Sequence, residues 1–306
     1  MSVIRLGLEW FLNPDHAPFM IAEEKGWLKE AGLSLELIEP KAHLDAIDAI
    51  ERGDLDVAIT EPIHLVLDAA KGKSIVGFAR FLHTNGGVMY LKHRGILRPR
   101  DMVGKRVQYP GAPGPGGLAI VRTMIEADGG PKDAPLTAVN NSFYHTDALA
   151  EGKADVATLV FYNFEIIEAR HRGLEAEFFA LKDWGIPDFC QLILITSPHL
   201  LASRESDIRA LLKVLRHSID FIHQHPDETK LIYLSRTGTA LDDTLSNAIY
   251  DATVPCFTFD FTLSAEYLES LQAWLYRTGQ IEKQPDVHTY WTNRLALGDV
   301  FTFAIP

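Results

Sequence analysis

Three short groups of side chains carry the chemistry available to this chain. The first is Trp10, Asn13 and His16, within the run Leu8 to His16. An indole face, an amide and an imidazole in one mouth suit a flat, polar heterocycle, because the ring stacks while the other two offer donors and acceptors. The second group is Glu61 and His64, and the third is Tyr162, Asn163 and Glu165. Between them lies a run rich in glycine and proline, Gly111 to Gly117, that opens a helix and contains Gly114, Gly116 and Gly117. Backbone N–H groups at such a helix start can hold an anion or a carboxamide oxygen. A plain strand-to-helix turn explains the same run equally well. It lacks the Gly-Lys-Ser/Thr ending of a phosphate-binding loop and the spacing of a dinucleotide fingerprint. Plainer readings stand beside the others too. Trp10 can be core, His16 a polar helix-start residue, His64 a core histidine, and Glu165 an acid favoured by a helix dipole.

The elements around these residues alternate in type. Ile4, Leu6 and Leu8 fall on one face of a strand. Asn13, Pro14 and Asp15 make a turn, Pro18 suits a first helical turn, and Gly26 is placed to end that helix. A second strand runs from Leu33 to Pro40. Strand–loop–helix units build open α/β sheets, whose ligands sit at the carboxyl ends of the strands. A near-repeat then organises the chain: Asp48 to Ala58 reads D-A-I-E-R-G-D-L-D-V-A, and Asp147 to Ala157 reads D-A-L-A-E-G-K-A-D-V-A. Each copy is a helix stopped by glycine and an Asp leading into an apolar strand. One copy per lobe describes a two-lobed protein, while one αβ corner used twice in a single domain is the simpler alternative. Further strands are expected at 73–81, 86–94, 106–109 and 189–196. Gly86 and Gly87 would give a flexible approach to a hinge. Amphipathic helices follow from Glu205 and are expected to pack on the first lobe.

Bulk properties narrow the function. The chain has 306 residues and a formal net charge of −12, which argues against a nucleic-acid surface. Mean hydropathy is near zero, and no apolar run approaches the ~20 residues of a membrane span. No signal-peptide pattern is present, so the expectation is a periplasmic protein if such a segment has been removed and a cytoplasmic one if the chain is complete. Cys190 and Cys256 fit no metal spacing; they can pair, but buried free thiols are the simpler reading. His217, His223 and His225 form no coherent ligand set, and a solvated helix face is expected there. No metal, cofactor or catalytic signature is expected.

The run Leu8, Trp10, Asn13, His16, then a helix, then Gly26-Trp27 and Gly32-Leu33, resembles the opening of the NMT1/THI5-like family. That family holds solute-binding proteins for thiamine-pyrimidine precursors and hydroxymethylpyrimidine phosphate synthases. The resemblance implies an α/β type II periplasmic-binding-protein fold with two lobes around a cleft. Residues 1–88 and 195–306 would form lobe I and 89–194 lobe II. It implies that Trp10 stacks on a pyrimidine and that Glu165, in Asn163-Phe164-Glu165, accepts from its exocyclic amine, with an ABC-type permease as partner to a monomer or weak dimer. His64 matches the histidine that is the pyrimidine source in the synthases. Those enzymes hold pyridoxal phosphate on a lysine four residues earlier, where this chain has Thr60, and carry a cysteine-rich run of which only Cys190 remains. A Schiff base needs an amine, so the departure weighs against the enzyme. A sulfonate, a riboflavin-like compound or a carboxylate is the remaining alternative ligand.

Overall fold

The computed structural model describes residues 1–40, 46–109 and 115–296. Gly114, with the rest of 110–114, lies outside the described residues. The chain begins with β1 (Ser2–Gly7), which buries Ile4 and Leu6, and Leu8 beyond it is buried as well. A 3-10 turn (Pro14–His16) leads to α1 (Ala17–Glu24), α2 (Trp27–Glu30) and β2 (Leu33–Ile38). Then come α3 (Ala46–Glu51), β3 (Val57–Thr60), α4 (Pro62–Ala70) and β4 (Val76–His83). After a crossover the chain runs through β5 (Gly86–Leu91), β6 (Arg106–Gln108), α5 (Pro115–Ala127), β7 (Thr137–Val139), α6 (His145–Ala150), β8 (Val156–Phe161), α7 (Glu165–His171) and β9 (Ala176–Ala180). It returns in β10 (Gln191–Thr196) and ends with α8 (Pro198–Ser203), α9 (Glu205–Gln224), α10 (Pro226–Thr237), α11 (Thr244–Thr253) and α12 (Ala265–Arg277).

The strands form two sheets of one design, ordered β2-β1-β3-β10-β4 and β7-β6-β8-β5-β9. In the first, β1 lies parallel to β2 and β3, while β10 runs antiparallel to β3 and β4. In the second, β6 lies parallel to β7 and β8, while β5 runs antiparallel to β8 and β9. Sheet membership changes at Thr84–Asn85 and again between β9 and β10.

The near-repeat is the joint that makes the two sheets alike. Gly53 and Gly152 stop their helices in the left-handed conformation, at φ +79° and +69°. The Arg5 backbone N–H and Nε donate to Asp56 Oδ2 at 2.8 and 3.0 Å, and its Nη2 donates to Oδ1 at 3.0 Å. Arg106 repeats this on Asp155 at 2.9, 3.0 and 2.8 Å. Each guanidinium also donates to the carbonyl of its helix-stopping glycine, Gly53 or Gly152. The fork-on-carboxylate geometry ties β1 to the corner feeding β3, and β6 to the corner feeding β8, and so sets the register within each pair.

The two crossovers are packed against each other. The Thr84 N–H donates to the Cys190 carbonyl at 3.1 Å. A Cβ on Gly86 would lie 1.7 Å from Cys190 Sγ, and one on Gly87 would lie 2.0 Å from the Phe179 carbonyl oxygen. These glycines are therefore extended strand residues in β5, required by close approach, and not a loose hinge lead. Both thiols are free, Cys190 buried and Cys256 partly so. The C-terminal helices do more than cover the first sheet. α9 and α10 lie on α1, but α11 touches α7, and Trp274 Nε1–H of α12 donates to Thr123 Oγ1 of α5 at 3.1 Å. His217, His223 and His225 pack on the rings of Trp27, Phe259 and Phe221.

Gly86→Ala should destabilise the fold by about 1–3 kcal/mol through overpacking. Adding Cys190→Gly should recover part of that loss, read as a positive coupling in a double-mutant cycle by urea unfolding. Additive effects would show that the two crossovers are not in contact.

Candidate functional site

The carboxyl ends of β1 and β8 meet where the sheets face each other. The Trp10 ring lies 4.8 Å from Phe164 and 6.3 Å from Phe143, and also packs on Phe11 at 4.2 Å. Asn13 caps the following turn: its Oδ1 accepts from the Asp15 N–H at 2.8 Å, and its Nδ2 donates to the Phe11 carbonyl at 2.9 Å. The Asn13 N–H donates to His16 Nδ1 at 3.1 Å, so Nε2 carries the proton and meets both Glu9 oxygens at 3.0 and 3.1 Å. Burial pulls the His16 pKa down, and the Glu9 carboxylate overrides it and raises it. Asn13 and His16 are thus satisfied within the turn itself.

Asp15, only 3% exposed, makes the cross-sheet contact. Asn163 Nδ2 donates to Asp15 Oδ1 at 2.9 Å and to Thr253 Oγ1 of α11 at 2.9 Å. One amide therefore joins the start of α7, the turn after β1 and a C-terminal helix. Both amide protons are used, and Asn163 Oδ1 is buried without a partner among the described residues, as are Trp10 Nε1 and His145 Nδ1.

Glu165 opens α7 at 4% exposure. Its Oε2 accepts from the Phe161 N–H at 2.9 Å, and its Oε1 stands 3.9 Å from His145 Nε2, too far for a hydrogen bond. Burial raises Glu165 to a pKa of about 8. Burial and then the Glu9 charge raise Asp15 to about 7. Burial lowers His145 to about 4. Near neutral pH the Glu165 acid and the His145 imidazole are therefore both uncharged, and each can donate and accept.

Glu61 holds His64 at 2.7 Å, with Thr60 Oγ1 3.3 Å from the same Nδ1. Burial alone would lower the His64 pKa; the Glu61 charge wins and raises it. Gly116 and Gly117 sit in the first turn of α5, where a Cβ on Gly117 would lie 2.6 Å from Tyr109 Cβ. They seat the Tyr109 ring, whose hydroxyl pKa is raised by burial and then by Glu61. Tyr162 is exposed instead and packs on Phe178 at 5.3 Å, with the Arg170 guanidinium 5.9 Å over its ring. It stands apart from the buried group.

Asp15, Tyr109, His145 and Thr253 join this group without having been singled out in the sequence. His145 stands two residues ahead of the second copy of the near-repeat, where Ala46 stands ahead of the first. Among the described residues, no lysine or arginine pairs with Glu9, Asp15 or Glu165. No metal-holding cluster of His, Cys, Asp or Glu is present among them either.

Two such sheets joined by crossing strands are the periplasmic-binding-protein fold. The aliphatic sulphonate binding protein of Escherichia coli superposes with a TM-score of 0.74 at 13% identity, over 100% of this chain and 97% of that one. The nitrate-binding protein of Synechocystis superposes with a TM-score of 0.73 at 14% identity, over 96% and 87%. The chain belongs to the NMT1/THI5-like family, whose sequence profile matches residues 13–229. A formylaminopyrimidine-binding protein of Halalkalibacterium halodurans is 24% identical over 78% of this chain and 72% of its own length. A 4-amino-5-hydroxymethyl-2-methylpyrimidine phosphate synthase of Legionella pneumophila is 24% identical over 96% and 92%.

A carboxyl group whose folded pKa lies above its unfolded one stabilises the fold fully below the unfolded value, and that contribution is lost as pH rises through the folded value. For Glu165 the window runs from an ordinary 4.5 to about 8. Across it the parent should lose up to about 1.4 kcal/mol per pH unit relative to Glu165→Gln, measured by urea unfolding. Equal slopes would mean that Glu165 is ionised in the folded protein.

Proposed function

We propose that this protein is a solute-binding protein that closes on a thiamine-related aminopyrimidine, of the hydroxymethylpyrimidine or formylaminopyrimidine type, for ABC-type uptake. The observation that carries the reading is the charge of the site. Asp15 and Glu165, buried acids that no lysine or arginine among the described residues pairs with, disfavour an oxyanion, which would be desolvated among groups of its own sign. An aminopyrimidine is neutral or cationic and presents an amine beside a ring nitrogen. The adjacent aromatic group of Trp10, Phe143 and Phe164 supplies flat apolar surface, worth about 0.5–1.5 kcal/mol per well-placed ring pair beyond area burial. The binding relative named above supports the same ligand class. In this scheme Glu165 and Asn163 Oδ1 take the polar edge, and His64, Glu61, Gly116 and Gly117 lie along the opening.

The enzyme reading rests on His64, which Glu61 holds at 2.7 Å, and on the synthase relative. Thr60 opposes it. Its hydroxyl stands 3.3 Å from His64 Nδ1 and offers no amine for an imine to pyridoxal phosphate. The residues at this position do not fit a lysine-held cofactor.

Thermal shifts with hydroxymethylpyrimidine, its formylaminomethyl analogue, ethanesulfonate, riboflavin and pyridoxal phosphate separate the readings. Either pyrimidine at a hundred times its Kd should stabilise the parent by about 2.7 kcal/mol, and Glu165→Ala should weaken its binding at least tenfold. A response to ethanesulfonate alone would overturn the proposal. An imine absorbance with pyridoxal phosphate would favour the enzyme.

A further inference from the structure

We infer that His145 is a specificity-determining residue of this site and that, with Glu165, it reads the donor–acceptor edge of an uncharged nitrogen heterocycle. The inference rests on the reading of the site as a heterocycle-binding one. His145 is 3% exposed, yet its Nδ1 has no hydrogen-bond partner among the described residues. The nearest acidic oxygen to its Nε2 is Glu165 Oε1, at 3.9 Å. A buried polar atom left unpaired is costly, and a bound ligand's polar edge would satisfy it. The imidazole is also in the right place. Phe143, two residues before it, packs on Trp10, and Glu165 opposite it begins α7 one residue after Phe164, whose ring meets Trp10 edge-on. The unpartnered atoms of Trp10 and Asn163 belong to the same group of segments.

The chemistry follows from the charges around the pair. Glu165 and His145 face each other from α7 and α6; Glu168 of α7 and Asp15 of the turn after β1 act on Glu165 as like charges. Burial, with Glu165 Oε1 3.9 Å away and outside hydrogen-bond reach, keeps the imidazole neutral. One ring nitrogen then donates and the other accepts. The acid beside it does the same. Two such groups match an edge with an N–H donor next to a ring-nitrogen acceptor, and they offer a sulfonate or phosphate no compensating charge.

The test compares hydroxymethylpyrimidine with its des-amino analogue by calorimetry, on the parent, His145→Leu and His145→Asn. The parent should prefer the amino compound at least tenfold. His145→Leu should bind it at least tenfold more weakly and lose most of that preference, while His145→Asn, whose amide stands near the Nδ1 position, should retain part of both. Unchanged affinity and preference in His145→Leu would overturn the assignment and leave the heterocycle reading standing. A parent that binds neither compound would overturn both. A measurement without any variant guards against misfolding: the ring ¹⁵N resonances of His145 in the parent should shift on adding hydroxymethylpyrimidine, and unshifted resonances would also overturn it.

Discussion

The junction between the two sheets is held by a neutral amide buried among acids. Asn163 gives one proton to Asp15 and the other to Thr253, and the carboxyl groups around it receive no lysine or arginine from the described residues. Taking a carboxylate out of water without a counter-charge is expensive. The site meets that constraint by keeping Glu165 protonated near neutral pH, by giving Asp15 an amide donor, and by setting His16 against Glu9. The rest of the site's character follows. It is acidic and rich in uncharged donors and acceptors.

The scaffold delivers these groups by repeating one device. Arg5 on Asp56 and Arg106 on Asp155 use the same forked contact, and in each case the guanidinium also reaches the carbonyl of the glycine that stops the preceding helix. A second arginine joins each carboxylate, Arg204 at 3.1 Å on Asp56 and Arg94 at 3.8 Å on Asp155. These pairs are partly exposed, so their worth lies in geometry more than in stability. They aim the ends of β3 and β8 at a common seam. The crossovers that join the sheets are close-packed through Gly86 and Cys190, so any opening must turn whole strand ends about this contact, as in hinge motions built on a few positions.

Proteins with this fold but little sequence identity include ones described as binding sulphonate and nitrate. A shared backbone does not carry a ligand with it, because function resides in the side chains placed at the strand ends. Here those side chains are acids, imidazoles and aromatic rings, and in the proposed reading they suit a neutral or cationic heterocycle rather than an oxyanion.

Much of the architecture was decided by local sequence. Alternation placed β1 and β2, the near-repeat marked α3 with β3 and α6 with β8, and the proline at Pro62 marked the start of α4. These signals are legible because a strand face, a glycine stop or a turn is encoded within about ten residues. β7 and β9 escaped because they are short and only partly buried, with little alternation to see. Resemblance in the opening segment carried the family and with it the fold. The site was only half legible. Trp10, Asn163 and Glu165 could be picked out by type, but sequence could not show that Trp10 packs on phenylalanines, that Tyr162 faces away, or that Asn13 and His16 satisfy each other. Nor could it pair Asp15 with Asn163, 148 positions apart, or set His145 against Glu165. Contacts of that kind leave no local pattern. They exist only once two sheets are brought face to face, and it is the burial produced there that sets the protonation of the groups and hence what they can recognise.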